Sequence, residues 1–127
     1  MTGVTNILLV AFFGALGTLA RYGLAALIQP LAGGRFPIST LLVNVLGSLI
    51  MGVLYVLILE KLWLAPEWRS FLMVGFLGAF TTFSAFSLDT LALWQNGQPL
   101  LAVAYVVASL VLCLGGVAVA VAVTRLF

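Results

Sequence analysis

The chain has 127 residues, 65% of them hydrophobic and only 6% charged, with a formal net charge of +2. A water-soluble domain carries about 25% charged residues, so this composition excludes a water-facing surface, and the small, scattered positive excess excludes nucleic acid as a partner. The single cysteine, Cys113, excludes an intrachain disulfide and a cysteine-rich metal site, and the lack of histidine removes the commonest general base.

A spanning helix needs roughly 20 apolar residues, and the sequence has room for four, predicted over residues 6–29, 38–59, 68–94 and 100–124 of one domain covering 1–127. The expectation is an all-α integral membrane protein. The N-terminal segment reads as a span, not a cleaved leader, because it lacks a basic start and its apolar run is too long. Pro30 and the pair Gly33-Gly34 are expected to stop it. Along that first helix Gly14, Gly17 and Arg21 share a face. Pro37 precedes the second helix, on which Thr40, Asn44, Ser48 and Gly52 recur every fourth residue. Small residues at this spacing let helix backbones approach closely in lipid. Asn44 differs, since an amide near mid-membrane must find partners: an interhelical hydrogen bond and a ligand are both open.

Pro66-Glu67 reads as the start of the third helix, with proline and an acid in the first turn. Its centre is the stretch "GFLGAFTTFSAFS", Gly75 to Ser87. Paired β-branched threonines after Gly78-Ala79 are weak helix formers, so a break near the bilayer centre is expected at Thr81-Thr82. Broken helices expose carbonyls and N–H groups, and freed carbonyls suit a small hard cation such as Na⁺. Phe80, Phe83 and Phe86 follow at successive spacings of three, a pattern that core packing explains equally well. "NGQP", Asn96 to Pro99, is a turn signal. On the fourth helix Tyr105, Ser109, Cys113 and Gly116 line one face.

Lys61, Arg69 and Arg125 fall on the side of the two termini, with Arg35 and the more deeply set Arg21 on the other. Such a weak bias leaves two readings, an orientation fixed by other signals or copies inserted both ways and paired head to tail. Four helices enclose little interior, so polar residues at depth point to burial against a second copy. Asp89 is the one acid within a span and is placed near a helix end. The other deep polar groups are amides and hydroxyls, with Arg21 the one intramembrane cation. Cation and proton paths are built around buried carboxylates, so the balance favours an anion. Arg21 snorkelling or pairing structurally remains the alternative.

The same residues resemble a known family, the Fluc (CrcB) fluoride channels, along nearly the whole chain. "GALGTLARY" (Gly14 to Tyr22) and "STLLVNVLGS" (Ser39 to Ser48) are similar to its first two helix motifs, and "GFLGAFTTFSAFS" to its most specific one. Tyr105 and Ser109 match the spacing of its fourth-helix polar positions. The resemblance implies an antiparallel, dual-topology homodimer in the bacterial inner membrane, with two pores giving passive, selective efflux of fluoride. It implies Phe83 and Phe86 as pore phenylalanines, and Asn44, Tyr105 and Ser109 as polar pore-lining groups, with Thr82 and Ser84 as additions. Arg21 would lie near the vestibule. A structural, non-transported sodium ion would sit at the dimer centre on the backbone carbonyls of Gly78 and Thr81 from both subunits.

Four positions depart from the family pattern: Phe13 and Ala79 replace frequent glycines, Ala85 replaces a hydroxyl-bearing residue, and Asp89 stands for a glutamate. Two other readings compete. A small dual-topology multidrug exporter needs a membrane carboxylate that the first helix lacks. A non-transporting membrane subunit would use every stripe for packing. A membrane enzyme needs an activated nucleophile or a metal site, and the sequence shows neither.

Overall fold

The computed structural model describes residues 3–34 and 36–127, and every regular element among them is helical. Arg35, counted above among the loop cations, lies outside the described residues. Helix α1 is Gly3–Ala32, longer at both ends than predicted. Pro30 does not stop it. Helix α1 runs through the proline and ends where Gly33 takes φ +58°, a left-handed turn that a residue without Cβ adopts readily. Pro30 cannot donate to the Ala26 carbonyl, so the ladder loses one bond there, and the helix ends within the same turn.

Helix α2 starts at Ile38 and spans Ile38–Glu60, its last part, Tyr55–Glu60, wound as π-helix. There the N–H of Lys61 reaches back to the Val56 carbonyl at 2.8 Å. The third span is Arg69–Gln95. Its first half, α3, is π-helical over Arg69–Leu77 and α-helical over Gly78–Phe80; its second half, α4, is Phe83–Gln95. Helix α5 is Pro99–Thr124, with proline in the first turn as its fixed φ favours. Pro66-Glu67 forms the turn that enters α3: the two carbonyls accept the N–H groups of Arg69 and Ser70, each at 3.1 Å. The apolar spacing that marks these helices does not distinguish α from π winding.

Counting the broken helix as one, four helices among the described residues are long and apolar enough to cross a membrane. Helix α3 packs along α1, α2 packs most extensively on α5, and α4 lies against α5. The break therefore hands the chain from one side of the bundle to the other, with α2 between. Gly17 shows why α1 carries glycines. A Cβ there would run into the Phe76 carbonyl, so the α1–α3 contact is backbone against backbone. A Cβ on Gly52 would stand 2.7 Å from the Val117 carbonyl, making the same kind of seam between α2 and α5.

The buried side chains form two clusters on opposite sides of α2. Leu41 joins Leu93, Ala102 and Tyr105, while Val43 joins Leu77 and Phe80. Most other large apolar side chains are exposed on the protomer, as lipid-facing helices require. The ends are tied by polar contacts. Ser39 Oγ donates to Gln29 Oε1 at 2.8 Å, joining α1 to α2. Arg125 holds Glu60 bidentately, Nε to Oε1 and Nη2 to Oε2 each at 2.8 Å, joining the far ends of α2 and α5.

Candidate functional site: a broken helix beside a buried hydroxyl

The third span breaks where the threonine pair predicts. Thr81 (φ −84°, ψ 158°) and Thr82 (φ −151°, ψ 115°) are both extended, so two residues leave the helical ladder between α3 and α4. In lipid every backbone group freed in this way needs a new partner, and side chains supply several. Asn44 on α2 grips both backbone groups of Thr82, its Oδ1 accepting the N–H at 2.8 Å and its Nδ2 donating to the carbonyl at 3.0 Å. Thr82 Oγ1 caps α4 by accepting the Ala85 N–H at 3.1 Å. Arg21 Nε donates to the Ala79 carbonyl at 3.1 Å. Both open alternatives at Asn44 and Arg21 thereby gain a structural term, as each holds the break.

These diversions decide which carbonyls lose their helical donors. In an unbroken helix the Thr82 N–H would reach Gly78 and the Ala85 N–H would reach Thr81. Both donors go to side chains instead, Asn44 Oδ1 and Thr82 Oγ1. The carbonyls of Gly78 and Thr81 are the two that these side chains release from their helical donors, and Gly78 is exposed on the protomer. The donor set fits a hard cation of the Na⁺ type, which takes neutral carbonyl oxygens.

Beside the break lies a cavity of about 280 Å³, open on the protomer and lined among others by Asn44, Thr82, Phe83, Phe86, Ser109 and Cys113. Its wall carries hydroxyls, an amide and aromatic rings, and none of its lining residues is acidic or basic. Ser109 is the informative member: it is 7% exposed, and its hydroxyl has no hydrogen-bond partner. A buried hydroxyl left in this way costs about 1–3 kcal/mol. Asn44 retains a second amide hydrogen beyond the one given to Thr82. Phe83 and Phe86 are in contact, with ring centroids 5.3 Å apart, and Phe86 continues to Tyr105 at 5.2 Å.

Other sequence-predicted residues fall elsewhere. Tyr105 is fully buried and does not line the cavity; its hydroxyl donates to Asp89 Oδ2 at 3.2 Å. Asp89, placed near a helix end by the sequence reading, lies toward the Gln95 end of the third span, on α4 and facing α5. Ser84 is exposed and bonds Thr82 Oγ1 at 3.2 Å. Arg21 lines a separate hollow with Thr18, Gln29 and Ser39, away from the cavity. Sequence reasoning did not place Gly47 at the site, although a Cβ there would collide with the Thr81 methyl. Its spacing from Asn44 gave a signal only in hindsight, because the partner is distant in sequence.

Comparison with known proteins places this arrangement. The family model described as "CrcB-like protein, Camphor Resistance (CrcB)" matches residues 8–122. A protein of Saccharophagus degradans named "Fluoride-specific ion channel FluC" is 56% identical over 118 residues, covering 93% of this chain and 88% of its own. Relatives of the same name from Hahella chejuensis (48% identical, 97% of each chain) and Acidithiobacillus ferrooxidans (46% identical, 84% of this chain and 85% of its own) are similarly close.

Proposed function

We propose, from the premise that this chain belongs to the CrcB family, that it is a fluoride-specific channel giving passive efflux across the bacterial inner membrane. The four apolar spans and the bacterial relatives make it a multi-pass protein of that membrane. The family is one of transport proteins and not of enzymes, and no catalytic step is needed.

One observation carries the reading: a cavity lined by Asn44, Thr82, Ser109 and the rings of Phe83 and Phe86 with no carboxylate in its wall, beside a Ser109 hydroxyl that is buried and has no protein partner. Fluoride is small and strongly hydrated, so a dry path must replace its water. Hydroxyl and amide N–H donors, with the positive edges of aromatic rings, form such a substitute. Several weak sites serve better than one deep one, since conduction requires the ion to leave as well as enter. The absence of acids from the cavity lining favours an anion over a cation or proton path.

The path is completed in our reading by an antiparallel homodimer of dual topology with two pores. The exposure of Phe83, 75% on the protomer, supports this reading, because an aromatic ring on the site's rim otherwise faces lipid. The Gly78 and Thr81 carbonyls, released from helical bonding, with Gly78 exposed on the protomer, support a structural sodium shared by two copies at the dimer centre. When bound, that ion would supply charge to fix the breaks; the chain's own part is to free the two carbonyls, Asn44 and Thr82 taking their helical donors. The polar additions Thr82 and Ser84 keep each other oriented at the head of α4, and Tyr105 positions Phe86 while held by Asp89.

The test is efflux from vesicles loaded with fluoride or chloride. Rapid release of fluoride with retention of chloride is expected from purified protein, and retention of both by folded protein contradicts the reading.

A further inference from the structure

Helix α2 ends at the membrane boundary. Ile38–Glu60 is 23 residues long, a rise of about 30–35 Å against a hydrocarbon core of about 30 Å. Residues 61–68, which lead on to the third span at Arg69, therefore stay at that boundary. The helix is stopped at Leu62, which takes φ +56°, the one positive φ outside glycine among the described residues. The Lys61 N–H returns to the Val56 carbonyl at 2.8 Å and the Trp63 N–H to the Leu57 carbonyl at 2.9 Å, a left-handed stop of the kind that glycine usually makes. A leucine there sets its Cβ against its own backbone. Protein packing does not offset this, because Leu62 is 70% and Trp63 61% exposed on the protomer. Lys61 Nζ stands 4.6 Å from the centroid of the Trp63 ring.

We propose that the turn over residues 61–68 is a phospholipid-binding anchor, Leu62 reaching the acyl chains, Trp63 lying at the headgroup boundary and Lys61 meeting the lipid phosphates. The inference rests on the spans and not on the ion path. Tryptophan favours headgroup level, where an apolar ring and a polar N–H are both accommodated. Lysine lays its stem on apolar surface and keeps its ammonium in the polar layer, and its attraction to an aromatic face strengthens as water thins out. Glycine at position 62 would make the same stop without strain but would have nothing to insert. Leucine brings an apolar side chain whose burial among acyl chains offsets the strained turn. Trp68, at the other end of the turn, packs on Phe13 and Phe71 of its own chain, with centroids 6.0 and 5.7 Å away. Leu62 and Trp63 are thus the part left for an outside partner. A second copy of the chain is the competing cover. The charged residues Glu60, Lys61, Glu67 and Arg69 bracket the pair, which suits a headgroup layer and not the core of a protein interface, where charges are depleted.

Wild-type protein and Trp63→Phe are reconstituted in phosphatidylcholine vesicles whose chains carry bromine near the headgroup, near the methyl end, or not at all. The difference between their tryptophan emissions isolates Trp63. Bromine near the headgroup is expected to quench that signal about twofold more than bromine at the chain end, as a ring at headgroup level requires, and aqueous acrylamide should quench it weakly. Leu62→Gly should keep the turn, with a melting midpoint in detergent equal to that of wild type or higher. Measured against the double variant Leu62→Gly/Trp63→Phe, its Trp63 signal should lose lipid quenching and gain acrylamide quenching. A signal quenched by acrylamide alone would leave the turn in water, and one that neither quencher reaches would put a second copy over it; either overturns the proposal. So would quenching strongest at the chain end, or a Leu62→Gly protein that matches wild type with both quenchers. None of these readouts involves fluoride release, so they stand apart from a failure of the channel reading.

Discussion

Replacing Asn44 by alanine tests whether the amide holds the broken helix. Asn44 makes two hydrogen bonds, at 2.8 and 3.0 Å, to the N–H and carbonyl of the same residue, Thr82. Alanine leaves both backbone groups without a partner at a point where no helical neighbour is in register. Interhelical side-chain hydrogen bonds in membranes are worth on average about 0.6 kcal/mol and at most about 1.7, because the unfolded chain also finds partners in lipid. Two of them give about 1–3 kcal/mol on that scale, a loss visible as a lower thermal midpoint in detergent. Asn44→Asp separates the two bonds. It keeps an acceptor for the Thr82 N–H but sets a carboxylate oxygen against the Thr82 carbonyl, so it should destabilise at least as much. Thermal unfolding followed by tryptophan fluorescence, together with fluoride efflux, reads both effects. If Asn44→Ala unfolds at the wild-type midpoint while efflux is lost, the amide acts on the ion alone and the clamp argument fails.

Other substitutions probe separate parts of the account. Phe83→Ile and Phe86→Ile keep apolar bulk but remove the ring edges, and efflux should collapse in each; wild-type flux in both would remove the aromatic contribution. Gly17→Val drives a side chain into the Phe76 carbonyl and should cost about 1–3 kcal/mol by overpacking, seen as a lower melting midpoint; an unchanged midpoint would show that α1 and α3 are not in backbone contact. Exchanging sodium for N-methylglucamine through purification should lower both the melting midpoint and efflux, whereas identical behaviour would argue against a cation on the Gly78 and Thr81 carbonyls.

The parts of the molecule written in short-range pattern were legible from the sequence. Apolar runs of spanning length gave four helices, and the adjacent threonines after Gly78-Ala79 gave the break, since β-branched pairs resist helix and nothing nearby compensates. What escaped was set by distant partners. Pro30 looked like a terminator, yet the helix runs past it and ends at Gly33. The π-winding over Arg69–Leu77 leaves the apolar pattern almost unchanged. Asp89 was recognisable as lying toward a helix end, but not its partner, the Tyr105 hydroxyl on α5. Likewise, Asn44 was recognisable as a residue needing partners, but not that one residue, Thr82, would satisfy it twice.

The difference between donors that fill a core and donors that carry an ion is clearest at Ser109, whose hydroxyl lacks a protein partner. The most direct measurement is the rate of fluoride release from vesicles bearing wild-type protein against Ser109→Ala, with folding checked by melting. Taking away an unsatisfied buried hydroxyl should leave stability unchanged or raised while fluoride release slows. A variant that releases fluoride as fast as wild type, at any stability, would contradict a path lined by this hydroxyl.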